Sequence, residues 1–167
     1  RARLGMIGLM FDLYDRWPDL KIQEAQFAGE LVQAFSPFAA VDFPGVCTTH
    51  EQVDEALRHI EAEGKDLVLV VLLTYAPSHI ALRGLLKTRL PILILNTQQL
   101  YEITSGTTGD DTTRNHGMHG VQDLANVLLR AGRSFQVVTG HPRDPRTIAA
   151  VRAWCDAARL VYQLQRT

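Results

Sequence analysis

Asp66-Leu67-Val68-Leu69-Val70-Val71-Leu72-Leu73-Thr74 decides the fold. A strand with one wet face alternates apolar and polar residues. A run of strand length without alternation belongs to a strand covered on both faces, as in a parallel sheet. Parallel strands need helical crossovers, and the flanking sequence supplies them. Upstream, Thr48-Thr49-His50-Glu51 reads as a capping box, with Thr48 and Glu51 satisfying each other's backbone donors. Val53, Ala56, Leu57 and Ile60 follow as the inward face of a helix that Gly64 ends. Downstream, a helix from about Ser78 to Lys87 leads to Pro91 and a strand, Ile92-Leu93-Ile94-Leu95, ending in Asn96-Thr97-Gln98.

The outer parts repeat the alternation. Arg3 to Met10 is a first buried strand, and Phe11 to Leu20 a loop. Ile22, Ala25, Ala28, Val32 and Phe35 mark a helix, and Ala39 to Val46 a weaker strand closed by Pro44 and Gly45. Gln99 to Thr113 reads as a long polar loop. The helix entered at Gly120 has Val121, Leu124, Ala125 and Leu128 inward and stops near Gly132. Phe135 to Thr139 is the fifth strand. Asp144 caps a last helix, with Pro145 in its first turn, that buries Ile148, Val151, Cys155, Ala158 and Tyr162. Regular alternation predicts one α/β domain over 1–167: a doubly wound, parallel, five-stranded, flavodoxin-like sheet with strand order 2-1-3-4-5. In such a sheet ligands bind beyond the carboxyl ends of the strands.

Composition narrows the function. The 167 residues are 46% apolar and carry 17 basic against 18 acidic side chains, for a formal charge of −1. Burial on that scale opposes disorder, and the absence of a basic stripe argues against nucleic acid. No run approaches the roughly 18 apolar residues of a membrane span, and no signal-peptide pattern opens the chain. Cys47 and Cys155, far apart and without a CxxC, read as buried thiols of a reducing compartment, which places the protein in the cytoplasm. The chain starts at Arg1 without a Met and ends at Thr167 inside a helical pattern, so both ends read as cut.

The polar residues gather where ligands are expected. Asp110-Asp-Thr-Thr-Arg-Asn-His-Gly-Met-His-Gly120 leads into a helix, where free N–H groups and polar side chains suit an oxygen-rich ligand. His116 and His119, three apart beside Asp110 and Asp111, could reach a common metal. Alternatively one caps locally and the other faces solvent. Preferred over ligation is the binding of substrate hydroxyls by Asn115, His116 or His119, since imidazole and amide both donate and accept. Asn96-Thr97-Gln98 offers short polar groups to the same edge or caps a turn, and Tyr75 either stacks on a sugar or closes the core. Thr104 to Gly109 has the look of a phosphate cradle, but without a GxGxxG or GxxxxGK[ST] motif nucleotide binding has little support. His50, His59 and His141 read as surface or loop residues, and no nucleophile motif supports covalent hydrolysis.

Taken in order, Thr74-Tyr75-Ala76-Pro77, Thr97-Gln98, Asn115-His116-Gly117-Met118-His119-Gly120, Gly140-His141 and Trp154 carry a resemblance over most of the chain. It resembles the N-terminal domain of the L-arabinose isomerase group, in the L-fucose/L-arabinose isomerase superfamily. The resemblance implies an aldose–ketose isomerase working through an ene-diol with a divalent metal, usually Mn²⁺. The catalytic glutamates and metal ligands would lie in later domains, with no catalytic residue, metal or cofactor in this chain. It also implies that this domain packs against its own C-terminal domains and neighbouring subunits of a homo-oligomer, and lends side chains to a neighbour's sugar site. Carried over residue by residue, His119 matches the sugar-site histidine, Asn115 the asparagine before it, and Tyr75 the aromatic after the threonine.

The chain departs from the family's pattern in places. His116 stands where the family often has Gln, and Ala76-Pro77 replaces Ser-Pro. A family Gln-His-Leu-Tyr appears as Phe11-Asp12-Leu13-Tyr14, so Phe11 takes the place of a sugar-contacting Gln. The sugar is therefore not fixed by the resemblance. The substrate-binding set is His119, Asn115, His116, Tyr75, Phe11 and Gln98. The alternative to an isomerase part is a non-catalytic sugar-binding or sensing domain, and after it a purely structural assembly domain.

Overall fold

The computed structural model describes residues 1–165. The placement of Thr167 within a helical pattern falls outside them. The central strand is β4 (Leu67–Leu72), buried along its whole length. It pairs in parallel with β1 (Ala2–Leu9) on one side and β5 (Ile92–Asn96) on the other. Beyond β5 lies β6 (Gln136–Thr139), and beyond β1 lie β2 (Ala39–Asp42) and β3 (Val46–Cys47).

The expected second strand, Ala39 to Val46, is thus two strands, giving six in place of five. β2 pairs with Ala2–Gly5 and β3 with Gly8–Leu9, both on the same flank of β1. Between them Pro44 offers no N–H, and Gly45 has φ +137°, so the ladder breaks there. Counted by position, the order is still 2-1-3-4-5.

Helices cover both faces. On one face α2 (His50–Ala62), α3 (His79–Lys87) and α5 (Gly117–Arg130) pack through Val53, Ile60, Ile80, Leu85, Leu124 and Leu128 onto Ile7, Val70 and Ile94. On the other α1 (Pro18–Phe35) and α6 (Pro145–Leu164) pack through Phe27, Leu31, Phe35, Val151 and Cys155 onto Met6, Leu69 and Leu95. Burial on both faces explains the unbroken apolar run.

Several boundaries differ from the sequence reading. The loop from Phe11 to Leu20 contains a 3₁₀ turn over Asp12–Arg16 and then α1, which Pro18 opens because its missing N–H and fixed φ suit a first turn. The buried face of α1 is Phe27, Ala28, Leu31 and Phe35, while Ile22 is 56% exposed and Ala25 is exposed too. The cap of α2 is Thr49 with Gln52, one residue after the expected Thr48–Glu51 pair. Part of the polar loop folds as α4 (Gly109–Arg114), because Thr108 and Asp111 form a capping box of their own. In α6, Val151, Cys155 and Ala158 are buried, Ile148 is partly buried, and Tyr162 receives the Arg3 guanidinium over its ring at 4.6 Å. Cys47 and Cys155 are free and buried, and burial pushes their thiols up to about 11 and about 12.

Candidate functional site

The carboxyl ends of β1, β4, β5 and β6 share one edge. Thr74, fully buried, ties the first two together. Its Oγ1 accepts from the Phe11 N–H at 3.4 Å and donates to the Tyr75 carbonyl at 2.8 Å. This fixes Phe11 and Tyr75 side by side, their ring centres 5.7 Å apart and edge-to-face.

α5 starts flush against the end of β4. A Cβ at Gly117 would collide with the Leu72 carbonyl, and one at Gly120 with the Leu72 side chain. The backbone contact leaves no room for a side chain at Gly117, and at Gly120 the Leu72 side chain and the Ala76 backbone would have to give. Each glycine follows a histidine, so the same contact brings His116 and His119 over the edge. Their rings are 4.5 Å apart, and Tyr75 lies 6.1 Å from His116. On the far side Tyr14 is 5.8 Å from Phe11 and Trp17 5.6 Å from Tyr14. Six rings thus run in a row from Trp17 to His119. Burial, and then His119, hold His116 below the usual histidine range, so it is neutral near pH 7. Burial, and then Tyr75, raise Tyr14.

Four of the sequence candidates, Phe11, Tyr75, His116 and His119, therefore stand together. Asn115 and Gln98 do other work. Asn115 Oδ1 accepts from the Leu100 N–H at 2.7 Å, and its Nδ2 donates to the Asp111 carbonyl at 2.6 Å. Both ends of the amide are engaged in bracing the loop. Gln98 Nε2 donates to the Leu100 carbonyl at 2.9 Å. Asn96 Nδ2 donates to Thr139 Oγ1 at 3.3 Å. Asp111 is held below the usual carboxylate range by the Thr108 N–H and hydroxyl, and Arg114 pairs with it at 2.5 Å, which takes it away from the histidines. In the Thr104–Gly109 stretch Thr107 Oγ1 accepts from the Thr104 N–H and Thr108 caps α4, so its hydroxyls bond within the loop. Among the described residues no group of three or more His, Cys, Asp and Glu side chains could hold a metal ion.

Sequence reasoning missed three residues near this edge. His141 is no free loop residue: its Nε2 donates to the Gln99 carbonyl at 3.1 Å, its Nδ1 accepts from the Arg143 N–H, and Tyr101 packs on it at 5.1 Å. Gln99 Nε2 donates to Glu24 Oε1 at 2.8 Å. Glu24 is fully buried, and desolvation raises its carboxyl to about 8. A signal for Glu24 existed. Once Phe27, Ala28, Leu31 and Phe35 set the phase of α1, position 24 falls on the same inward stripe.

Rings offer apolar faces to the C–H side of a sugar, and imidazole nitrogens donate to or accept from its hydroxyls. Fold and edge together define a flavodoxin-like α/β domain with a row of rings at the carboxyl edge of its sheet. The chain belongs to the L-arabinose isomerase N-terminal domain family, whose model matches residues 18–166. It is 31% identical over 121 residues to L-arabinose isomerase of Mycolicibacterium smegmatis, covering 71% of this chain and 24% of that protein. Against L-arabinose isomerase of Bifidobacterium animalis subsp. lactis it is 27% identical, covering 81% and 28%. Against that of Bacillus subtilis it is 26% identical, covering 84% and 29%. The chain spans less than a third of the length of these relatives. The family match begins at residue 18, so Phe11 and Tyr14 lie outside it.

Proposed function

We propose that this chain is the substrate-contacting and assembly domain of a metal-dependent aldose–ketose isomerase of the L-arabinose/L-fucose type. The observation that carries the reading is the ring row from Phe11 through Tyr75 to His116 and His119 at the ligand edge of a domain from this family. Tyr75 and Phe11 would face the C–H side of the sugar. His119, with neutral His116 beside it, would fix two hydroxyls and so hold the substrate in one orientation, which lowers the barrier by positioning. Asn115 acts from behind, keeping the α4–α5 junction in place.

The described residues do not fit a metal. Mn²⁺ and the acid–base carboxylates would belong to further domains of the same polypeptide, and neighbouring copies of a homo-oligomer would share the sugar site. We place the enzyme in the cytoplasm. Two thiols buried and unpaired suit a reducing compartment, and among the described residues no helix is long and apolar enough to cross a membrane.

The test is His119→Ala in the full-length enzyme. Loss of one hydrogen bond to a hydroxyl should lower kcat/KM for the preferred aldose by about 3- to 10-fold, with bound metal unchanged. Unchanged kcat/KM across a panel of aldoses would overturn the reading.

A further inference from the structure

The two lateral edges of the sheet are built differently. A strand at an edge offers unpaired N–H and C=O groups to any other strand, and proteins blunt such edges with proline, charge or a break in the strand. The β2–β3 edge has all three. Pro44 lacks an N–H, Gly45 breaks the ladder at φ +137°, and the Asp42 carboxylate holds Lys65 at 3.1 Å. The β6 edge has neither charge nor proline: its sequence is Phe135-Gln136-Val137-Val138-Thr139, and within β6 only Val138 is buried. Among the described residues β6 ladders with β5 alone.

The register shows which backbone groups point outward. The Gly140 N–H donates to the Asn96 carbonyl at 3.0 Å. Backbone groups alternate sides along a strand, so Val138 and Gly140 turn toward β5, while Val137 and Thr139 turn their N–H and C=O groups away from it. Two outward residues, two apart, match a copy of themselves. In an antiparallel pair centred on Val138, Val137 exchanges both bonds with the second copy's Thr139, and Thr139 does the same with the second copy's Val137. Every outward backbone group of β6 is then used. We propose that β6 pairs with β6 of a second copy about a two-fold axis at Val138, so that two domains share one continuous sheet.

The side chains fit the same register. Val137 lies in line with Ile94 on the α5 face and is 40% exposed; pairing sets it opposite the second copy's Thr139. Val138, in line with Leu95 on the α6 face, meets the second copy's Val138. Cross-strand pairs of β-branched residues stabilise a sheet. Apolar surface continues past the strand. α6 and the amino ends of β5 and β6 enclose a groove of about 380 Å³, lined by Trp154, Val161, Ile92 and Phe135, with Trp154 and Val161 exposed. Apolar surface of this kind marks a protein contact. No charge on the strand selects a foreign partner, whereas its outward pattern is complementary to itself.

The pairing rests on the homo-oligomeric part of the function proposed above and not on its sugar site. It is tested on the full-length protein, without substrate. Sedimentation gives the number of copies, and deuterium uptake resolved at single amides reads the edge. More than one copy is expected, with the outward Thr139 N–H exchanging as slowly as the inward Gly140 N–H. Val137→Pro removes an outward N–H and leaves the bonds to β5 in place. It should speed exchange at Thr139 at least about tenfold and leave Gly140 unchanged. A monomeric wild type would overturn the homo-oligomer and the pairing together. An oligomer in which Thr139 exchanges freely, or exchanges as slowly in Val137→Pro as in the wild type, would overturn the pairing alone. If Val137→Pro does not fold, the double variant Val137→Cys with Thr139→Cys decides. Directly opposed residues of a hydrogen-bonded pair have Cα atoms about 5.5 Å apart, within disulfide range. Oxidation should link two copies in the double variant and in neither single variant, and a double variant that stays unlinked refutes the pairing.

Discussion

β4 and the segment from Gln98 to His116 meet at the same edge of the sheet but are held by opposite means. β4 is covered on both faces by apolar side chains, and its polar groups are spent in the ladders with β1 and β5. The segment has little apolar cover. Side chain to backbone bonds hold it instead, Gln98 to Leu100, Leu100 to Asn115 and Asn115 to Asp111, together with one bond between side chains, Gln99 to Glu24. The core stays put wherever its volume is filled, whereas the segment depends on a few directed bonds whose partners can change state.

Truncating the core should cost the most. Leu69 is fully buried between α1 and α6, and Leu69→Ala should lower unfolding free energy by about 2–5 kcal/mol in denaturant titrations. Gly117→Ala sits on the boundary between the two regions. A methyl group there meets the Leu72 carbonyl, which cannot yield as a side chain can. A loss of about 1–3 kcal/mol is expected, together with displaced His116 and His119 resonances. If Gly117→Ala were as stable as the wild type, the flush packing of α5 on β4 would be wrong.

The smallest global effect belongs to the segment. Asn115→Ala strands the Leu100 N–H and the Asp111 carbonyl, at a cost of about 1 kcal/mol. Exchange should accelerate at Leu100 while the amides of β4 keep their protection. A uniform change along the chain would show that the segment and the core are one cooperative unit.

The same contrast explains what could be read in advance. The run Leu67–Leu73 carries its structural meaning in consecutive residues, so sheet type and strand order followed from pattern and connection rules. The cap of α2 moved because hydrogen-bond geometry, not residue type alone, chooses between neighbouring threonines, and α1 starts early because Pro18 opens it without any side-chain cap. That Tyr75, His116 and His119 come together at one edge was legible through their position at strand and helix ends. Asn115 was recognised but assigned outward, because nothing in the local sequence shows that its amide is consumed by Leu100. The Glu24–Gln99 bond joins residues 75 positions apart and left no mark beyond a misplaced acid on an apolar stripe.

The central claim is that the ring row touches the sugar. A crystal structure of the full-length protein with a bound polyol, a non-reacting mimic of the open-chain sugar, tests it most directly. The account predicts a polyol oxygen within about 3.2 Å of a His119 ring nitrogen, with Tyr75 against the polyol's carbon chain. A polyol bound elsewhere, with His116 and His119 facing bulk solvent, would contradict it.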